Sequence, residues 1–64
     1  MKHEFKNIYA ALFVKQIPFT IFKEDDNDVF KFKGNKLVLT NHNMTINDVE
    51  YFDVKQVIDF IQHV

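Results

Sequence analysis

The alternation of apolar and polar residues between Phe19 and Thr40 constrains this chain more than any other feature, because period two marks strands that bury one face. Two turn signals divide the stretch. Gly34-Asn35 sits between two alternating runs and reads as a two-residue hairpin turn, Gly taking the positive φ of the first central position and Asn tolerating it at the second. That turn sets Lys33 opposite Lys36, Phe32 opposite Leu37, Lys31 opposite Val38 and Phe30 opposite Leu39. Upstream, a four-residue loop, Glu24-Asp25-Asp26-Asn27, sets Lys23 opposite Asp28, Phe22 opposite Val29, Ile21 opposite Phe30 and Phe19 opposite Phe32. The two hairpins define a three-stranded antiparallel meander.

Cross-strand partners share a face. One face, A, therefore carries Phe19, Ile21, Phe30, Phe32, Leu37 and Leu39, with Lys23 and Asp28 at its rim. The other, B, carries Thr20, Phe22, Val29, Lys31, Lys33, Lys36, Val38 and Thr40. A one-residue slip in either hairpin would turn an apolar set to the opposite side, so the agreement between two independent turns fixes the faces.

Helices are expected on both flanks. From Glu4 to Gln16, the positions Phe5, Ile8, Tyr9 and Leu12 follow helical spacing, Phe13 widens the stripe, and Pro18 stops the helix by excluding its predecessor from the α region. Ala10, Ala11 and Val14 fall on the far side. The last helix opens at Asp53 as N-cap, with Gln56 placed for a capping box and Phe52 for a staple on Val57. Its apolar stripe is Val54, Val57, Ile58, Ile61 and Val64, with Phe60 beside it. Between meander and helix, Val49 to Phe52 reads as a short fourth strand; the competing reading is a helical turn capped by Thr45. The expected fold is α+β, a single domain over 1–64 with both helices on face A and face B open.

A chain of 64 residues buries only about 60% of its unfolded surface, so its eight Phe must supply much of the core and dimerisation is a natural supplement. With no Cys, disulfides, thiolate nucleophiles and Cys-based zinc sites are excluded. The longest apolar run, Ile8 to Val14, is too short to span a bilayer, and Met1 to Phe5 lacks a secretory pattern, which gives the expectation of a soluble, unprocessed cytoplasmic protein. The Lys, Asn, Ile and Phe bias without Arg suggests an AT-rich genome, that of a bacterium or its phage.

Sites for chemistry are scarce. His3, His42 and His63 have no ligand spacing, and the acidic run from Glu24 to Asp28 lacks the alternating oxygen ligands and central Gly of a calcium loop, so no metal is expected. Ser and Cys are absent and a single Gly cannot build a phosphate cradle, so neither a cofactor nor an enzyme activity is expected. What remains is face B, where an apolar strip of Phe22, Val29 and Val38 borders Lys31, Lys33 and Lys36. These six residues form the expected partner-binding surface of a non-enzymatic interaction module, a small regulator or inhibitor that binds another protein or itself. The alternative is a nucleic-acid binder using the same lysines with Phe22 as a stacking platform. A net charge of −1 and the lack of Arg disfavour it.

Overall fold

The computed structural model describes residues 4–64 and carries two helices and five strands in the order α1 (Phe5–Val14), β1 (Phe19–Glu24), β2 (Asn27–Phe32), β3 (Asn35–Leu39), β4 (Met44–Ile46), β5 (Val49–Tyr51) and α2 (Val54–Gln62). The sheet is antiparallel throughout and its spatial order follows the chain, β1-β2-β3-β4-β5. His3 and the rest of the opening segment lie outside the described residues. Among those described, no helix is long and apolar enough to cross a membrane.

Helix α1 ends before Pro18 acts. The amide of Gln16 donates to the Phe13 carbonyl and that of Ile17 to the Leu12 carbonyl, both at 3.0 Å, while Gln16 takes φ 60°. This is a Schellman closure in which the last-turn carbonyls find donors and Ile17 tucks against the core next to Leu12. At the other helix, Asp53 caps as expected, its carboxylate accepting from the Lys55 amide at 2.9 Å. The reciprocal Gln56 bond does not form and Phe52 stays exposed, so α2 is capped but not stapled. Lys15 also donates to the Gln62 carbonyl, tying the end of α1 to the end of α2.

All three two-residue turns of the sheet, Asp25-Asp26, Lys33-Gly34 and Asn47-Asp48, have positive φ at both central positions, the geometry that matches strand twist in a tight hairpin. The first hairpin has the expected register, Phe19 opposite Phe32 through Lys23 opposite Asp28, but Glu24 and Asn27 also pair, which shortens the loop to two residues. The second hairpin is corrected. Its turn is Lys33-Gly34, so Phe32 faces Asn35, Lys31 faces Lys36, Phe30 faces Leu37 and Val29 faces Val38. Gly serves best as the second residue of such a turn, and Asn35 is then free to accept from Asn47 Nδ2 at 2.9 Å. The shift is two residues, an even number, so every strand side chain keeps its face.

The segment after Thr40 forms two strands rather than one. Thr40 closes the connection by accepting the His42 and Asn43 amides on Oγ1 at 3.1 and 3.0 Å, and β4 then pairs Leu37 with Ile46 and Leu39 with Met44. Thr45 lies in β4 and caps no helical turn, and Asn47 accepts the Lys36 amide on its side chain and donates its own amide to the Lys36 carbonyl.

One core lies between face A and the helices. Ile8 and Leu12 of α1, Val57 and Ile61 of α2, and Phe30, Phe32, Leu37, Leu39, Met44 and Ile46 of the sheet are packed together, which puts both helices on face A. Ala11, expected on the far side of α1, is half-buried against this core, because α2 packs beside α1 and turns its buried stripe that way. The opposite flank of the stripe, Tyr9 and Phe13, is correspondingly exposed.

Candidate functional site

The six residues expected to form a surface on face B are not equally available. Phe22, Val29 and Val38 do occupy one cross-strand row, but Val29 is fully buried although no helix covers it. Its cover is made by neighbouring side chains. Lys36 Nζ on β3 reaches Glu24 Oε1 on β1 at 2.9 Å, and a bridge between strands two apart must cross β2, where Val29 is the central face B residue. Phe22 and Val38 flank it on either side. Face B is thus partly closed by the chain itself. Lys36 is spoken for, and Lys33 sits in the turn, so among the described residues only Lys31 remains as a strand lysine without an ion pair.

More apolar surface is exposed along β1. This strand lies at the edge of the sheet, and all of its residues after Phe19 are exposed. Ile21 is 38% exposed on face A and Phe22 is 41% exposed on face B. Next to Ile21 stands an aromatic ladder on α1. The rings of Phe5, Tyr9 and Phe13 follow one another at 6.3 and 6.5 Å, Tyr9 meets Phe19 edge-on at 5.2 Å, and Phe13 at the outer end is 68% exposed. A contiguous surface of Tyr9, Phe13, Phe19 and Ile21 results, with Phe22 across the strand.

Dimensions explain why β1 is bare. Two helices packed about 8–10 Å apart cover roughly 16–20 Å of sheet. Five strands at about 4.8 Å span roughly 24 Å. About one strand's width is left over, and because the fully buried sheet residues of the core come from β2, β3 and β4 while β1 adds only the half-buried Phe19 beside Tyr9, the shortfall falls on β1 beyond Phe19. The four strands legible in the sequence would span roughly 19 Å and be covered entirely, so the fifth strand is what hides this surface in the sequence. The signal was present in the helix stripe, which at five positions from Phe5 to Phe13 is wider than a single sheet contact fills.

The backbone of β1 is equally specific. A two-residue turn makes its flanking residues, Glu24 and Asn27, a hydrogen-bonded pair, and bonded and non-bonded pairs then alternate along the ladder. Thr20 and Phe22 therefore bond to β2, while the amides and carbonyls of Phe19, Ile21 and Lys23 point outward from the sheet. At the N-terminal end of the strand, Pro18, Phe19, Thr20, Lys31, Phe32 and Lys33 line a shallow depression of about 280 Å³. At the other end, the strand runs into Glu24, Asp25 and Asp26.

Among the described residues, no three His, Asp or Glu side chains converge to hold a metal, and Thr40 is engaged in closing its own loop. Comparison with protein-family models, with curated proteins and with solved structures yields no match.

Proposed function

We propose that this chain is a non-enzymatic protein-interaction module, a small cytoplasmic regulator or inhibitor of an AT-rich bacterium or its phage, and that it contacts its partner through β1. The observation that carries this reading is the coincidence on one strand of a free edge, exposed apolar side chains on both faces and an adjoining exposed aromatic ladder. Scattered apolar residues are normal on a surface, whereas a contiguous apolar patch bordered by charge is the usual sign of an interaction site. Phe22 joins this surface from face B, and the half-buried Val38 lies two strands away in the same row, beyond the buried Val29.

The experiment compares variants in a binding assay against the native host's proteins. Ile21→Thr with Phe13→Ser, and separately Phe22→Thr with Val38→Thr, should leave the circular dichroism spectrum unchanged. The first pair is expected to abolish specific capture and the second to weaken it. Capture that survives Ile21→Thr with Phe13→Ser contradicts the assignment. The nucleic-acid alternative would rest on Lys31 and Lys33, since Glu24 neutralises Lys36. No binding to DNA or RNA at low salt would dispose of it.

A further inference from the structure

The charge along β1 has a direction. Its C-terminal end carries the acidic turn of Glu24, Asp25 and Asp26, and its N-terminal end lies beside Lys31 and Lys33, which line the depression next to Pro18 and form no ion pair among the described residues. We propose that the partner of β1 is a second copy of this chain, joined β1 to β1 in antiparallel fashion about a two-fold axis at Ile21. This rests on the reading of β1 as the contact strand, and names its occupant.

The register follows from which backbone groups are free. Only Phe19, Ile21 and Lys23 point outward, so an antiparallel copy must pair odd residues with odd. An axis at Ile21 sets Ile21 against Ile21 of the second copy and Phe19 against its Lys23, and all three outward residues of each strand are used. Moving the axis to Thr20 or Phe22 leaves one of the three unpaired. Ile17 cannot extend the ladder, because its amide is already bonded to Leu12. At the chosen register no like charges face each other, and Lys23 keeps its ion pair with Asp28 at 3.3 Å.

Charge then selects the antiparallel orientation of two identical strands. The pairing that puts Ile21 on the axis brings Glu24 of the second copy opposite Pro18, and the acidic turn beyond it up to the depression that Lys31 and Lys33 line. Lys31 would stand two strands and two residues from that Glu24. Within one chain, Lys36 and Glu24 already close a bridge across two strands and four residues, so the reach is available. A parallel copy would set acid against acid and lysine against lysine. The opposite edge offers far less: β5 has three residues, and of these only Glu50 points its backbone outward.

Sedimentation of the purified full chain over a wide concentration range, up to millimolar, tests the dimer. The wild type is expected to pass from monomer to dimer. Ile21→Pro removes an outward amide without touching the ladder to β2, and should weaken association on the order of 100-fold, by the loss of two symmetric hydrogen bonds and the contact on the axis. Glu50→Pro, which blocks the other edge, should leave the dimer intact. Lys31→Glu with Lys33→Glu changes only exposed side chains, and is expected to weaken the dimer and to reverse its response to salt. These two substitutions carry the test if Ile21→Pro does not fold. A wild type that stays monomeric at millimolar concentration overturns the proposal, as does a dimer unaffected by both sets of changes. A monomeric wild type that still loses a different protein partner on Ile21→Thr with Phe13→Ser would refute the dimer alone and leave the interaction reading in place.

Discussion

Strands β1 and β4 make an instructive pair. β1 has six residues, three of them large and apolar, and is mostly exposed; β4 has three residues, Met44, Thr45 and Ile46, and its two apolar side chains are completely buried. Length and hydrophobicity would have ranked them the other way. What decides is position beneath the helices: β4 lies within the width that α1 and α2 cover, and β1, apart from Phe19 beside Tyr9, lies beyond it. The same apolar side chain is core in one strand and contact surface in the other.

Truncation at the two strands should show this difference most strongly. Met44→Ala opens a cavity in a fully buried site and is expected to cost about 3 kcal/mol, a large share of the stability of so small a domain, whereas Ile21→Ala should cost less than about 1 kcal/mol. Chemical denaturation of both variants at low protein concentration checks this, and equal losses would mean that β1 is covered after all. The turns beside the two strands come next. Asn47→Ala removes the bonds to the Lys36 amide and Asn35 side chain from a residue at positive φ and should cost about 2 kcal/mol. At the turn after β1, Asp25→Gly relieves φ 53° without losing such bonds, and is expected to stabilise by about 0.5 kcal/mol in thermal or urea unfolding. The smallest effect belongs to the bridge over Val29. Both partners are partly exposed, so Glu24→Gln should cost only about 0.3 kcal/mol, and less in high salt, as double-mutant cycles with Lys36→Met would show.

Much of this fold is legible in the sequence because its signals are local. Period two set the faces, Asp53 announced α2, and the pairing of Phe19 with Phe32 followed from the acidic turn. The second register was missed by two residues because Gly34 can occupy either central position of a turn, and the choice depends on Asn47, twelve residues beyond Asn35 in the chain. Val49 to Phe52 reads as a strand in the sequence and forms β5, but β4 is not legible because three residues are too few to display alternation, and the turn between the two uses Asn47 and Asp48 at positive φ without a Gly to mark it. The unequal exposure of the six face B residues is hidden in the sequence for a related reason. Nothing in the sequence reveals a Lys36 to Glu24 bridge over Val29, and the extra width of the sheet comes from β4, the one strand the sequence does not mark.

Amide hydrogen exchange, residue by residue along β1 at low and high protein concentration, tests the role of this strand most directly. In dilute protein, Thr20 and Phe22 should be protected by β2, while Phe19, Ile21 and Lys23 exchange freely. On concentration, protection should rise at those three alone. Ile21 exchanging at the same free rate throughout, or protection rising at Glu50 on the other edge, would contradict the account.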